Sequence, residues 1–456
     1  MNRLRLLSFL LIASVFVTTG QGCFTGGTVK GEPIPDVTLD YWRVFDGPDD
    51  FADIIGAYTE LYPNVTINYR RLRFEEYEEE LVRAFAEGRG PDIFTIHNTW
   101  MREYLPLIDP LPASLNLSRS EEQGTLRKQV VNVARTEPTM SLKDYKTSFV
   151  DAVSVETVID NNIYGFPMSV DTLALYYNND LLNAAGIPTA PTTWEAFQDQ
   201  TVLLTATNIA GNIIQSGAAL GTSENVERST DILSLLMLQT GTDMISPRGN
   251  IAFNDYPEGQ EEGTLPALDA LEFYTDFANP TKEVYSWTPD SPNSFDAFAN
   301  GEAAFFLGYS YHAPLLRTVA PKLNFEITNV PQIAGPDEAR QVNFANFWVE
   351  VVAENVEYSD YAWKFLQFAS GAEQVPGFLN SSRKPTALRS LITSQLESED
   401  LGEFAEQLLT AESWYRGEDI DAAEEALNEL IDNYLSGTLE AEDALDLAAN
   451  KVAQTY

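Results

Sequence analysis

Side chains that commonly carry out catalysis are scarce in this chain. His97 and His312 are the only histidines among 456 residues, so a Ser/His/Asp triad would need one of them, and a histidine-rich zinc site is excluded. No GxxxxGK[ST] phosphate loop and no GxGxxG after a strand occurs, so nucleotide hydrolysis and dinucleotide binding lack support. We therefore expect no catalytic residue, no metal and no cofactor.

Acidic pairs such as Asp49/Asp50 and Glu78/Glu79 keep one hydrolytic function open. Glycoside hydrolysis needs one carboxylic acid and one nucleophile or base across the sugar. With 68 acidic side chains, however, such pairs arise by chance. Clustered acids also bind calcium, but no D-x-[DN]-x-[DN]-G loop makes such a site specific. The chemistry of the sequence favours binding over catalysis.

The charge of the chain restricts its partners. The formal net charge is −40, and removal of residues 1–22, which hold Arg3 and Arg5 and no acid, leaves 26 basic against 68 acidic side chains, a net charge of −42. Such a surface repels nucleic acids, so we expect no nucleic-acid partner. Aromatic residues make up 11% of the chain, and aromatics beyond the needs of a core often line sugar sites.

The N-terminus has the pattern of an export signal. Arg3 and Arg5 precede an apolar run over 6–17, which ends in small residues and the only cysteine, Cys23. The segment 19–23 resembles a bacterial lipobox, although it has Gly20 where that motif prefers leucine. We expect a signal peptide over 1–22, lipidation of Cys23 and a short tether over 23–35. A secretory peptide that leaves a free thiol is the alternative.

Strands alternate with amphipathic helices in the first third of the chain, which indicates an α/β fold. Residues 37–41, 64–69 and 91–96 predict strands, and apolar residues at helical spacing over 51–62 and 74–85 predict the helices between them. This order makes a parallel sheet the default.

Later segments give further local predictions. Residues 113–162 are polar and irregular, and we interpret them as an insertion with helical pieces. Thr192 and Glu195 match a capping box. Apolar stripes over 420–434 and 441–452, separated by Gly437, predict two packed helices at the end of the chain.

Five segments, in order along the chain, resemble the extracellular solute-binding proteins of sugar-type ABC importers, which include the maltose-binding proteins. The first segment has a helix, a gap, Pro-Asp and a strand. The second contains YGFPMSVDTLALYYN and is the most family-specific. The third contains GEAAFFLGYSY and resembles the family segment whose aromatic ring lies against the sugar. In sequence order the segments cover 77–94, 163–197, 298–311, 363–366 and 437–445.

The resemblance implies a two-lobed α/β clamshell whose lobes are discontinuous and joined by crossing strands. It places lobe 1 at 36–167 and 328–370, and lobe 2 at 168–327 and 371–456. Ligand would be captured in the cleft and would favour closure. The implied partners are a small carbohydrate, the permease subunits of an importer and, through the lipid anchor, the outer face of the cytoplasmic membrane; we expect a monomer.

A sugar site needs flat aromatic faces and planar polar side chains. Candidates follow the first and third strands, where the family has ligand contacts, and lie in the resembling segments. We favour Tyr309 over Tyr311 as the stacking ring, and Asp171 as a ligand-binding carboxylate. The full set is Trp42, Arg43, Asp46, Asn98, Trp100, Asp171, Tyr309, Tyr311, Asn346, Trp348 and Trp414.

Other functions remain open. Within the binding class, the ligand could be a peptide, a polyamine or a glycerol phosphate, although the negative charge disfavours anions. A surface glycosidase or an adhesion lipoprotein are the alternatives from other classes.

Overall fold

The structure is a computed structural model that describes residues 34–123, 129–257, 263, 265–335 and 341–456. The predicted signal peptide and Cys23 lie outside the described residues, as does all of the tether except its last two residues. No helix in these ranges is long and apolar enough to cross a membrane.

The chain begins with the predicted alternation of strands and helices. The elements up to the first crossing between the lobes are β1 Val37–Val44, α1 Pro48–Leu61, β2 Val65–Leu72, α2 Phe74–Ala86, β3 Ile93–His97, β4 Ser114–Gln123, β5 Gln129–Pro138, α3 Leu142–Ser148, α4 Asp151–Thr157, β6 Val158–Ile159, β7 Asn162–Ile163 and β8 Phe166–Pro167. Short 3-10 turns cover Asn98–Trp100 and Leu105–Leu107.

The middle of the chain forms β9 Asp171–Thr172, β10 Ala174–Asn178, α5 Asn179–Ala185, α6 Trp194–Leu204, β11 Ala206–Thr207, β12 Ile213–Ala218, α7 Ser229–Gln239, α8 Pro266–Asp276, α9 Ser294–Ala299, β13 Ala303–Gly308, α10 His312–Val319 and β14 Phe325–Asn329. The last part forms β15 Asn343–Asn346, β16 Trp348–Val352, α11 Ser359–Ala369, α12 Val375–Ser382, α13 Arg389–Gln395, α14 Gly402–Gln407, β17 Ala411–Glu412, α15 Ile420–Ser436 and α16 Ala441–Val452.

Two five-stranded sheets organise the fold. The first has the order β2-β1-β3-β16-β8, with β1 parallel to β2 and β3, as predicted, and β16 antiparallel to β3 and β8. The second has the order β11-β12-β13-β10-β14, in which β12 and β13 are parallel and β10 is antiparallel to β13 and β14. Both sheets are covered by helices, which confirms the α/β clamshell.

The lobes are joined by a small sheet of three crossing segments. β15 pairs with β9 and with β17, and the core changes along each of these segments. Val170 packs in the first core and Leu173 in the second, and Phe344 packs in the second core and Ala345 in the first. The third crossing runs from Ala411 to Trp414. Three short paired strands form a hinge about which two rigid lobes can rotate.

The two cores correct the expected lobe boundaries. Residues 371–392, assigned to lobe 2 from the sequence, contribute Phe378 and Ile392 to the first core, where Phe378 packs against Phe51 at 5.0 Å between ring centroids. Val330 and Phe344 pack in the second core, so lobe 1 does not resume at 328. We propose lobe 1 as 36–170 and 345–411, from which Phe404 alone reaches into the second core among the described residues, and lobe 2 as 173–344 and 414–456.

Two local predictions are also corrected. The 113–162 insertion contains helices α3 and α4, but its first half is the β4–β5 hairpin, in which Leu115 and Leu117 alternate into the first core. Helix α6 starts at Trp194, so its cap is Thr193, which accepts a hydrogen bond from Ala196 N at 3.2 Å. The capping box on Thr192 is therefore wrong by one residue. The two C-terminal helices are confirmed, and Gly437 between them has a left-handed backbone, φ 62°.

Candidate functional site

The carboxyl ends of the first-lobe strands point toward the second lobe and leave a small cavity between the lobes. Strands β1 and β3 run parallel, so their last residues lie at the same edge of the sheet. The cavity is lined by His97, Asn98, Thr99, Arg228, Thr230, Asp231, Ser234, Phe344, Ala345, Asn346, Ser413, Trp414, Tyr415, Ile420, Ala423, Glu424 and Leu427. Its free volume is about 30 Å³, enough for one or two waters but not for a sugar ring. Residues of both lobes line this cavity, so the two lobes meet around it.

Arg228 organises the charges on the second-lobe side of the cavity. It precedes α7 with a left-handed backbone, φ 58°, and its Nε donates to Asp231 Oδ2 at 2.7 Å. A second guanidinium nitrogen lies 3.5 Å from Glu424 Oε1. Asp231 also accepts a hydrogen bond from the Tyr309 hydroxyl at 2.6 Å. Burial raises the pKa of Glu424 to about 6, so this carboxyl group titrates near neutral pH.

His97 and Asn346 form the polar part of the first-lobe side. His97 Nε2 donates to Asn346 Oδ1 at 3.1 Å, and its Nδ1 accepts from the Thr99 hydroxyl at 2.7 Å. Burial lowers the pKa of His97 to about 4, so the imidazole is neutral at pH 7 and keeps this arrangement. Asn98 is 2% exposed, and its Oδ1 accepts from Phe347 N at 3.2 Å. These groups present planar polar faces to the cavity.

An aromatic cluster extends from the cavity to the surface of the first lobe. Trp348 makes edge contacts with His97 at 5.3 Å and Phe45 at 5.6 Å between ring centroids. Phe45 stacks on Phe74 at 5.8 Å, and these two side chains are 53% and 48% exposed. On the second lobe, Tyr311 is 45% exposed. Exposed aromatic faces beside a polar cavity are what a sugar ring requires.

Residues 46–376 match the family described as bacterial extracellular solute-binding protein. The match covers most of the chain. The chain belongs to this family.

The curated proteins similar to this chain are distant relatives in sequence. A binding protein of Brucella abortus (strain 2308) is 20% identical over 321 residues, which are 70% of this chain and 67% of the relative. A binding protein of Brucella suis biovar 1 matches to the same extent. The agreement is therefore at the level of the family and not of a particular ligand.

Solved structures of sugar-binding proteins share the fold. The cyclic alpha-maltosyl-1,6-maltose binding protein of Arthrobacter globiformis has a TM-score of 0.72 at 20% identity, covering 92% of this chain and 99% of that one. A cyclo/maltodextrin-binding protein complexed with maltotetraose has a TM-score of 0.70 at 15% identity, with 93% and 98% covered. The maltose-binding periplasmic protein of Listeria monocytogenes, in complex with maltose, has a TM-score of 0.69 at 17% identity, with 92% and 99% covered.

Several residues expected to contact ligand lie at the cleft of this family member. Asn98, Asn346 and Trp414 line the cavity, and Trp414 donates from Nε1 to Ser234 Oγ at 2.9 Å. Trp348 contacts His97, which lines the cavity, and the exposed Tyr311 stacks on Tyr309, whose hydroxyl donates to the cavity-lining Asp231. Their role in binding remains a proposal.

Other expected contacts are buried structural groups. Trp42 is 9% exposed beneath the Arg70 guanidinium, Trp100 is 8% exposed and stacks on Tyr104, and Tyr309 is fully buried. Tyr309 is 0% exposed and stacks on Tyr311 at 6.0 Å between ring centroids, so we propose Tyr311 in place of Tyr309 as the stacking ring.

Arg43 and Asp46 are also internal. Arg43 contacts Asp46 at 2.8 Å and Glu350 at 3.1 Å, and Lys384 contacts Asp46 at 2.6 Å. All of these side chains except Lys384 are 5% exposed or less. They form a buried ion network in lobe 1, and with Arg43 2% and Asp46 5% exposed neither side chain reaches the cleft surface.

Asp171 connects the hinge strand β9 to the turn after β13. Its carboxylate accepts from Ser310 N at 3.0 Å, from Ser310 Oγ at 2.7 Å and from Thr172 N at 2.9 Å. These bonds occupy most of its acceptor sites, which indicates a positioning role. Burial raises its pKa to about 6.

That pKa predicts how the Asp171→Asn variant depends on pH. Because the folded pKa lies above the unfolded value of about 4, this group loses stabilising free energy as the pH rises from about 4 to 6. We expect Asp171→Asn to lower the melting temperature more at pH 4 than at pH 7. Melting curves of both proteins at the two pH values test this; an equal difference at both would mean that the carboxyl pKa is not raised.

Sequence reasoning missed Phe45, Phe74, Arg228, Asp231 and Glu424. His97, at the end of the third strand, was not in the expected set either. Phe45 immediately follows the apolar end of β1, and Phe74 opens an amphipathic helix, so both have the pattern of core residues. Arg228 lies where no periodic pattern precedes α7. Only the three-dimensional structure brings these groups together. Among the described residues, no cluster of three His, Cys, Asp or Glu side chains could hold a metal ion.

Proposed function

We propose that this protein captures a carbohydrate, most simply an oligosaccharide, in the cleft between its lobes and delivers it to the permease of an ABC importer. The observation that carries the proposal is the cavity between the lobes, where the Trp414 ring and the polar groups of Asn346 and Arg228 converge. A pyranose has apolar C–H faces and a rim of hydroxyl groups, and these two kinds of side chain match them. The sugars bound by the solved structures of the same fold support the same ligand class.

The hinge supplies the mechanism. With about 30 Å³ of free space, the cavity does not admit a sugar ring in this arrangement, so in this proposal the lobes separate about β9, β15 and β17 to admit ligand. A ligand that contacts both His97 and Asn346 of one lobe and Arg228 and Trp414 of the other binds the closed state better. Binding therefore shifts the population toward closure, and the closed surface is what the permease recognises.

The proposed location is outside the cytoplasmic membrane. The export signal and Cys23 support a lipoprotein anchored to the outer face of that membrane, or a periplasmic protein, acting as a monomer.

We further propose a binding role without catalysis. Glycoside hydrolysis needs two carboxyl groups that flank the scissile bond. Asp231 and Glu424 both lie on the second lobe and contact the same Arg228 guanidinium. This shared ion pairing supports a structural role for the two carboxylates in shaping the cavity.

Thermal melting in the presence of candidate ligands tests the proposal. The chain from residue 24 onward is melted with mono- and oligosaccharides, amino acids, peptides, polyamines and glycerol phosphate. A ligand at 100 times its dissociation constant stabilises the folded protein by about 2.7 kcal/mol, so we expect a saturable rise in Tm with at least one saccharide. A rise with a peptide or polyamine alone would overturn the ligand class, and no rise with any compound would favour a non-transport role such as adhesion.

A further inference from the structure

The backbone at the end of β1 is strained around one exposed aromatic residue. Phe45 has φ 64°, a left-handed conformation that is an outlier for a bulky side chain. Asp46 N donates to Val44 O at 2.7 Å, which closes a three-residue turn with Phe45 at its centre. A γ-turn with positive φ at the central residue is rare and strained. Such strain persists where the surrounding structure enforces it, commonly at ligand sites.

The buried ion network enforces this turn. The Asp46 carboxylate binds Arg43 at 2.8 Å and Lys384 at 2.6 Å, and the Asp46 carbonyl accepts from the Tyr69 hydroxyl at 2.9 Å. Arg43 is held in turn by Glu350 at 3.1 Å. Burial alone would raise the pKa of Asp46, but Arg43 and Lys384 outweigh it and hold that pKa below its usual value. Asp46 is thus a charged anchor on the residue directly after Phe45.

The turn directs the Phe45 side chain out of the core. Its ring is 53% exposed, stacks on Phe74 and meets Trp348 edge-on. We call Phe45, Phe74 and Trp348 the outer shelf. Trp348 also contacts His97, which lines the cavity, so the shelf continues from the cavity toward solvent at the carboxyl edge of the first sheet.

We propose that the outer shelf is a second sugar subsite, which binds a ring of the ligand that lies outside the cavity. The inference rests on the proposed carbohydrate function and adds to it that the ligand is extended and leaves the cavity over lobe 1. Two stacked, half-exposed phenyl rings offer an apolar face without charged groups, which matches the C–H face of a neutral sugar. Arg43, Asp46 and Lys384 are positioning residues that aim this face.

A chain-length series tests the shelf. Isothermal titration is carried out with the α-1,4-linked glucose oligomers from two to five rings and with the β-1,4-linked series of the same lengths. In the wild type we expect affinity to rise with ring number until the shelf is filled. In Phe45→Ala/Phe74→Ala we expect that rise to fall by about tenfold, because both phenyl rings that face the outer sugar are removed, while the shortest bound oligomer keeps its affinity within about twofold.

Two further variants keep folding and binding apart. Leu61→Ala removes a 49% exposed apolar side chain at the other end of α1 and should leave the affinity for every oligomer unchanged.

Phe45→Gly removes the ring and the backbone strain together, because glycine adopts positive φ freely. This variant should melt at the same or a higher temperature than the wild type, and its affinity should no longer rise with the number of sugar rings. If the double variant keeps the full rise in affinity with ring number, the proposed shelf is wrong, while the carbohydrate function still stands. Absence of binding by any oligomer to the wild type, together with a Tm rise from a non-sugar solute, would overturn the carbohydrate function and the shelf with it.

Discussion

Replacing Arg43 by methionine is expected to lower the free energy of unfolding by about 3–5 kcal/mol, the usual cost of removing one partner from a buried ion network. Arg43 is 2% exposed, and it is the only guanidinium in contact with both Asp46 and the fully buried Glu350 among the described residues. Without Arg43, Glu350 still accepts a hydrogen bond from the Tyr41 hydroxyl at 2.7 Å, but among the described residues no positive charge lies within contact distance of its carboxylate. The change is measured by urea unfolding followed by tryptophan fluorescence.

The effect of Arg43→Met also has a defined pH dependence. Burial already raises the pKa of Glu350, and Arg43 opposes that rise. Loss of Arg43 raises the folded pKa further above the unfolded value of about 4.3. A carboxyl group whose folded pKa is raised loses stabilising free energy as the pH rises from its unfolded pKa through its folded pKa. The free energy of unfolding of the variant should therefore fall further below that of the wild type at pH 7 than at pH 4.5.

Arg70→Met is the matched control. Arg70 lies exposed on β2 with its guanidinium 4.6 Å from the Trp42 ring centroid, and removing it should cost about 1 kcal/mol or less. If Arg43→Met instead unfolds like the wild type but fails to bind ligand, Arg43 contacts the ligand, as the sequence alone suggests, and the ion network does not carry stability.

The fold was predictable from the sequence where the determining pattern is local. Alternation in β1 and helical spacing in α1 and α2 depend on residues a few positions apart, and these elements form where expected. The lobe boundary depends on contacts between distant segments. Phe378 belongs to lobe 1 because it packs on Phe51, and nothing in the neighbourhood of residue 378 encodes that contact.

The sequence predicted which strand ends lie at the cleft, but it did not predict which aromatic side chains face it. Asn98, Asn346, Trp348 and Trp414 lie at or beside the cavity because chain segments end or cross there. At the end of β1, however, every residue from Tyr41 to Val44 is buried, so alternation does not say which side chain faces the cleft. The strained turn at the next residue decides it, and no sequence rule predicts a left-handed phenylalanine.

Replacing Arg228 by methionine should have the largest effect on binding. Arg228, Asp231 and Glu424 line the cavity of about 30 Å³, where the guanidinium is the only cation in contact with either carboxylate among the described residues. Truncating one member of a buried charge pair costs about 2–5 kcal/mol, largely because the partner stays unpaired. Because the Arg228 and Glu424 side chains are 31% and 34% exposed, we take the lower end of that range and expect the dissociation constant for the bound saccharide to rise about thirtyfold.

We expect the loss of affinity in Arg228→Met to come from impaired closure of the lobes. A measurement of closure separates this cause from the loss of a direct contact between Arg228 and the sugar. With Arg228 present, the two carboxylates enter the closed cavity paired; without it, they favour the open state, where water solvates them. Small-angle scattering at saturating ligand should therefore show a larger radius of gyration for Arg228→Met than for the wild type. Lys282→Met, which removes surface ion pairs with Glu272 at 2.8 Å and Asp276 at 3.0 Å within lobe 2, controls for the loss of one positive charge and should leave affinity and closure unchanged. Weaker binding with full closure would mean that Arg228 acts only by touching the sugar. Unchanged binding would mean that the ligand lies away from this end of the cleft and that the closed cavity tolerates two unpaired carboxyl groups, as the raised pKa of Glu424 allows if that group is protonated.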